Sequence, residues 1–204
     1  MAEARLSHLK RFIRPAPHCG RSRWRGGGHR ARSKAAALVG MMLCAIAAPL
    51  LGAEAAEYEV KAAFLYNLAR FVEWPKEALE PEAAQFHLCV YGEDPFDGAL
   101  AVIEGKQIDG KEIVVQRVGQ SEGVANCQMV FVSASQRHEL GPLISKLVAK
   151  PVLTVGDTPG YGKDGVIVNF YIEQRKVRFE INVQAAKSAG LKVSSKLLAL
   201  ARII

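Results

Sequence analysis

Histidine and cysteine are scarce in this 204-residue chain, at five and four residues. Past residue 55 only His87, His138, Cys89 and Cys127 remain. The two histidines have no Cys, Asp or Glu partner at ligand spacing, which disfavours a metal site. C-x-x-C, the arrangement that lowers a thiol pKa, is missing, and with it the case for a catalytic thiol pair. G-x-S-x-G is missing as well: Ser133 and Ser135 lie near His138 in sequence but have no orienting acid. After Leu51 there is no further long apolar run, no internal repeat and no low-complexity tract. These absences leave no cofactor, no metal and no catalytic constellation, so the chain does not read as an enzyme.

Charge is unevenly placed. The net +7 would suggest nucleic acid or a membrane surface as partner, but residues 1–55 hold ten Lys+Arg against two Asp+Glu. Residues 56–204 hold seventeen against eighteen, a balance of −1 with no basic face, so nucleic acid is excluded as an expected partner. Arg5 to Lys34 is basic and interrupted by Gly26-Gly27-Gly28. Ala35 to Leu51 is apolar and uncharged, about the length of a signal-peptide core and slightly short for a tilted membrane span. Ala53-Glu54-Ala55 fits the small-x-small rule for signal peptidase, with Ala56 as the new N-terminus. An uncleaved anchor is the alternative. Lipoprotein processing at Cys44 is disfavoured by the large Met42-Leu43 before it. The basic stretch is long for a signal peptide and leaves room for a start codon downstream of Met1. Residues 1–55 therefore read as a leader and 56–204 as one exported domain, not inserted in the membrane after cleavage. A domain of that size can bury a single core.

Along the exported part, Glu57 to Trp74 reads as a helix stopped by Pro75, with Val60, Phe64, Leu68, Phe71 and Val72 as its apolar stripe. One stripe rarely accommodates Tyr58, Phe64, Tyr66, Phe71 and Trp74 together. Most face a core, and one or two are left for a partner, with Tyr58, Tyr66, Phe71 and Trp74 as the candidates. Strands are expected over Phe86–Tyr91, Lys111–Val118, Cys127–Ser133 and Val152–Val155. Between them, helices are expected over Phe96–Glu104, capped by Asp94 ahead of Pro95, and over Gln136–Ala149. Val166 to Ile172 reads as a strand covered on both faces, then a turn, then a strand alternating Val177, Phe179 and Ile181 with Arg178, Glu180 and Asn182. Asn182 caps a helix from Val183 that Gly190 closes, and Ser194-Ser195 precedes a last helical stretch, Leu197 to Ile204. The sum is an α/β domain with a mainly parallel sheet flanked by helices and closed by a hairpin with helices packed on it.

Few residues offer chemistry. If the first and third strands are neighbours, their spacing of roughly 4.8 Å allows a Cys89–Cys127 disulfide, the alternative being two buried thiols. Gly160-Tyr161-Gly162-Lys163-Asp164-Gly165 matches G-x-G-x-x-G, yet a strand and not a helix follows, so it reads as a glycine-rich loop. Asp157 sits past the fourth strand, where α/β proteins bind ligands, although a turn in which it bonds its own backbone is the simpler reading. Arg178 and Glu180 form a solvated pair or, with Arg175, line a groove. Asp157, Arg175 and Arg178 are the ligand-binding candidates.

The order of segments resembles the YfiR-like family of periplasmic proteins. The resemblance rests on Lys61–Pro75, Leu88–Gly92, Cys127–Phe131, Leu153–Asp157, Gly165–Asn169, Arg178–Asn182 and Ala189–Leu198, spread over about residues 57–203. It implies a non-enzymatic regulator that binds an inner-membrane signalling protein, a diguanylate cyclase or a sensor kinase. In the family such binding restrains cyclic di-GMP synthesis and biofilm formation. It also implies that the family's cysteine pair falls on Cys89 and Cys127; the second disulfide of some members has no cysteines here. A homodimer is a further arrangement the sequence leaves open. The other reading is a periplasmic small-molecule binding domain.

Overall fold

Apolar residues in the central strands serve two faces, and the computed structural model, which describes residues 48–79 and 84–204, shows where each face goes. These residues lie in the unit Leu43–Ile204; the other unit, Met1–Met42, is outside the described residues, as is most of the expected leader. Helix α1 (Ala48–Phe71) passes through the expected cleavage point after Ala55 and leads into strand β1 (Val72–Glu73). Strands β2 (Gln85–Tyr91), β3 (Gln107–Ile108), β4 (Lys111–Val118), β5 (Met129–Val132) and β6 (Leu153–Gly156) follow, with α2 (Leu140–Leu147) before β6. The chain ends in β7 (Val168–Glu173), β8 (Lys176–Ile181), α3 (Val183–Ser188), β9 (Lys192–Val193), α4 (Ser195–Leu198) and β10 (Arg202–Ile203).

Eight strands form one sheet in the order β10-β8-β7-β6-β5-β2-β4-β3. β4, β2, β5, β6 and β7 run parallel to one another, while β3 pairs antiparallel with β4 and β8 returns antiparallel to β7 through the two-residue turn Gln174-Arg175. β1 pairs separately with β9, fastening the end of α1 to the segment after α3. The protein is thus an α/β domain with a mainly parallel sheet flanked by helices. Strand alternation divides the core. Phe86, Leu88, Val90, Met129 and Phe131 face one side, with Leu65 and Leu68 of α1. Cys89, Tyr91, Val130 and Val132 face the other, with Leu140, Leu143 and Leu147 of α2.

Local rules place several ends. The Asn182 side chain accepts from Ala185 N at 2.8 Å, and Gly190, at φ 72, closes α3 in the left-handed region. Ser194 caps α4 in the same way, through Leu197 N at 3.3 Å. Asp94 does accept from Phe96 N, but the helix expected over Phe96–Glu104 shrinks to a 3-10 turn at Ala99–Val102. The reason is consecutive positive φ at Asp97 (43°) and Gly98 (88°), which no α-helix tolerates. The helix expected over Gln136–Ala149 is a 3-10 stretch, Ala134–Glu139, followed by α2, with Pro142 in the first turn where its missing N–H costs nothing. Leu197–Ile204 is not one helix: after α4, Arg202 and Ile203 leave it to pair with the edge of β8. The outer end of β7 is not covered on both faces either, since Ile172 is 50% exposed.

The stripe of α1 differs from its sequence reading by a rotation. Ala62, Leu65, Leu68, Ala69 and Val72 are buried, whereas Val60 and Phe71 are 45% and 38% exposed. The first helix also stops at Phe71 rather than Trp74, because Val72 and Glu73 take up strand pairing.

Cys89 and Cys127 form a disulfide with Cα atoms 6.0 Å apart, its two ends 0% and 3% exposed. β2 and β5 are neighbours, and the bond ties β2 to the 3-10 turn Ser121–Asn126 that leads into β5. With 38 residues of separation the chain-entropy contribution is at most about 4 kcal/mol. Cys89→Ser is therefore expected to lower Tm by on the order of 10 °C in thermal melts. A mutant that melts with the wild type would show that closing this loop stabilises nothing.

Candidate functional site

Lysine and aspartate are almost never buried unless paired, and α1 contributes a buried lysine. Lys61 is 4% exposed on the flank of the core face of α1, and its Nζ donates to Asp157 Oδ2 at 2.7 Å. The same ammonium lies 2.6 Å from Glu57 Oε1, one helical turn earlier, and 4.1 Å from the Tyr58 ring centroid. The Tyr58 hydroxyl donates to Asp157 Oδ2 at 2.9 Å. Burial and the Asp157 charge hold the Tyr58 phenol well above its ordinary value of 10. Asp157 follows β6, so this cluster crosses 96 residues of sequence to lock α1 to the carboxyl end of the sheet. Its carboxylate serves the helix, not its own turn.

A cleft of about 500 Å³ opens beside the cluster, bounded by Lys61 and Asp157 on one side and by Asn169, Tyr171, Glu180 and Arg202 on the other. Asn169 and Glu180 are opposite each other across β7 and β8, and Asn169 Nδ2 donates to Glu180 Oε1 at 3.2 Å. Arg202, brought in by β10, donates through Nε and Nη2 to Glu180 Oε2 and covers the Tyr171 ring at 4.2 Å. Glu180 is buried for that reason, at 7% exposure, and its partner is Arg202 rather than Arg178. The solvated Arg178–Glu180 pair expected from sequence is absent: Arg178 Nε lies 4.0 Å from Glu173.

Asp157 thus lines the cleft, but Arg175 and Arg178 do not. Arg175 occupies the exposed hairpin turn at φ 62, and Arg178 is exposed farther along β8. Sequence reasoning missed Lys61, Asn169 and Arg202, and considered Glu180 for a groove only in the company of Arg175 and Arg178. A signal for Lys61 existed, since i+4 and i+7 from it are Leu65 and Leu68. The aromatic candidates divide as well. Trp74 is buried, edge-on to Phe86 at 5.3 Å, and belongs to the core. Tyr58 packs edge-on to Phe96 and bonds Asp157. Tyr66 is half-buried between Arg70 and Lys106, whose cations lie 5.5 and 5.1 Å from its ring. Phe71 is the exposed one. The G-x-G-x-x-G segment turns its amides inward: Lys163 N and Asp164 N bond Gly160 O, and buried Tyr161 donates to Ser133 O at 3.1 Å. Among the described residues no group of three His, Cys, Asp or Glu gathers at metal-binding distance.

Removing Asp157 leaves Lys61 and Tyr58 short of a buried partner. Asp157→Ala is expected to cost about 3–5 kcal/mol in urea unfolding, and Lys61→Met/Asp157→Leu to recover much of it. A single-mutant cost near zero would mean water serves the ammonium as well as Asp157 does. The phenol adds a pH dependence with a fixed sign. Tyr58 keeps its proton in the fold above pH 10, where an unfolded phenol loses it. That stability is complete below about pH 10 and falls as pH rises beyond it. Tyr58→Phe should flatten the alkaline limb of the stability curve.

Against known structures, the chain is similar to the ABC domain in complex with L-Trp from Streptococcus pneumonia, at 11% identity and TM-score 0.43, over 63% of this chain and 58% of that one. It is similar to a conserved domain protein from Vibrio cholerae at 12% identity and TM-score 0.43, over 62% of this chain and 56% of that one. The chain thus spans less than two thirds of the length of either structure. The YfiR/HmsC-like family model matches residues 58–202, which takes in α1 from Tyr58, strands β1 to β9 and Arg202 of β10. The chain belongs to the YfiR/HmsC-like family.

Proposed function

We propose that this protein is a non-enzymatic periplasmic regulator that docks on the periplasmic sensor domain of an inner-membrane signalling protein. The partner in this reading is a diguanylate cyclase, whose cyclic di-GMP synthesis it restrains, with a sensor kinase as the other candidate. Family membership supports a regulator role in the periplasm. No helix among the described residues is long and apolar enough to cross a membrane.

The observation that carries the docking role is the outer flank of α1. Positions 60, 64, 67 and 71 fall on one line of an α-helix. Val60 and Phe71 are exposed on that line, with half-buried Phe64 between them packed in tilted contacts against Phe170 and Phe179 at 5.9 and 5.6 Å. Phe64 is thereby held rigid, and a rigid aromatic flanked by exposed apolar groups is the anchor an interface uses. The disulfide in this reading is structural, because both cysteines are shielded from solvent.

Pull-down from solubilised inner membrane tests the reading. The purified protein should capture the cyclase or kinase, with or without mild reductant. Phe71→Asp should abolish capture while the protein stays folded with a Tm only a few degrees lower, since the side chain is already 38% exposed. Capture that survives Phe71→Asp and Val60→Asp together would remove α1 from the interface. Loss of capture on reduction alone would make Cys89–Cys127 a switch.

A further inference from the structure

The cleft between β6, β7 and β10 has features that neither packing nor the docking face accounts for. The charges on its inner walls are engaged with one another. Lys61 is held by Glu57 and Asp157, and Arg202 by Glu180, so a ligand charged where it meets those walls would have to break an existing pair; Lys163 is the further charge, exposed in the lining. Hydrogen-bond acceptors, by contrast, are left over. Both bonds to Asp157 fall on Oδ2, which leaves Oδ1. Asn169 is 2% exposed in the wall of the cleft, and its Oδ1 meets no donor among the described residues. A buried amide oxygen without a donor is rare enough in a folded protein to require an explanation. Gly156 preserves the space beside it: a Cβ there would come within 2.6 Å of the Tyr161 ring and 3.4 Å of Asn169 Oδ1. Apolar wall comes from Pro159, Phe170 and Ile172 next to Tyr171.

From this set we infer that the cleft binds a neutral polyhydroxylated ligand, a mono- or disaccharide unit. Hydroxyls supply donors to Asn169 Oδ1 and Asp157 Oδ1 without adding charge, and the C–H face of a pyranose packs on the apolar wall. The volume of about 500 Å³ falls inside the range of roughly 300–1,000 Å³ usual for small-ligand sites. The ligand site and the docking stripe use different residues, so either can fail without the other.

Thermal shift of the purified protein with cellobiose, glucuronate and spermidine as probes tests the inference. Cellobiose is expected to raise Tm by about 3–6 °C once it is tenfold above its Kd. Sugars also stabilise proteins weakly by exclusion from the surface, so two variants isolate the specific part. Asn169→Leu removes the orphan acceptor. Ile172→Trp fills the mouth of the cleft from an already exposed position and leaves the fold intact. Both should reduce the cellobiose shift to the exclusion background. An equal shift in wild type and Ile172→Trp would overturn the inference, as would a response confined to glucuronate or to spermidine.

Discussion

The contact on which most of the structure depends is the buried pair Lys61–Asp157. Taking an ammonium and a carboxylate out of water costs several kcal/mol per ion, and the attraction between them offsets that only with good geometry and further hydrogen bonds. Both conditions hold. The 2.7 Å contact is supplemented by Glu57, one turn back, and by the Tyr58 hydroxyl on the same carboxylate oxygen. Hydrophobic burial alone would let α1 slide or rotate on the sheet, because Leu65, Leu68 and Val72 offer a non-directional surface. A charge-assisted bond to the end of β6 does not permit that. It sets the rotation of α1, and so decides that Val60 and Phe71 face solvent while Ala62 and Ala69 face the sheet.

Two separate features are consequences of that one orientation. Glu57 and Lys61 on one flank of α1 close the cleft over Asp157, and the line through Val60, Phe64 and Phe71 runs next to them on the same flank, farther from the buried face. On the far side of the cleft a second buried acid, Glu180, uses the same logic with a different element. Arg202 reaches it from a two-residue edge strand and stacks on Tyr171 as it does so. The cleft is held open between two ion pairs, each linking a peripheral element to a strand end. Glu57 gives the first cluster two carboxylates to one ammonium, and Lys163 in the lining supplies the balancing charge.

Much of this was legible in the sequence where the determinant was local. β4 begins and ends where alternation placed it, at Lys111 and Val118, and β2 and β5 fall within the apolar runs around the two cysteines. Asn182 and Ser194 cap helices as capping chemistry requires. What was not legible depended on distant partners. Large apolar side chains drew the helical stripe toward Val60 and Phe71, whereas the packed face is set partly by small Ala62 and Ala69 and by a lysine whose partner lies 96 residues away. Glu180 looked solvated because the strand that buries it, β10, reads as helix from Leu197 onward. Arg175 and Arg178 looked like ligand residues because they fall at the turn and on the wet face of the last strand, where a groove was one reading; both are exposed and neither lines the cleft beside Asp157.

The G-x-G-x-x-G segment shows how far identical letters can be from identical physics. In a dinucleotide site the loop amides point out of a helix N-terminus toward a phosphate. Here β6 precedes the loop and β7 follows it, so there is no helix dipole to use. Gly160 and Gly165 adopt positive φ, at 98° and 102°, to bring Tyr161 beneath the turn, and Val166 N closes it on Tyr161 O. Tyr161 is fully buried, with its hydroxyl on Ser133 O at the end of β5. Burial raises the phenol above its ordinary value, which keeps it a donor and preserves that bond. The glycines therefore serve a tyrosine anchor between neighbouring strand ends, and the rigidity they provide reaches Asn169 through Gly156, against which the Tyr161 ring packs.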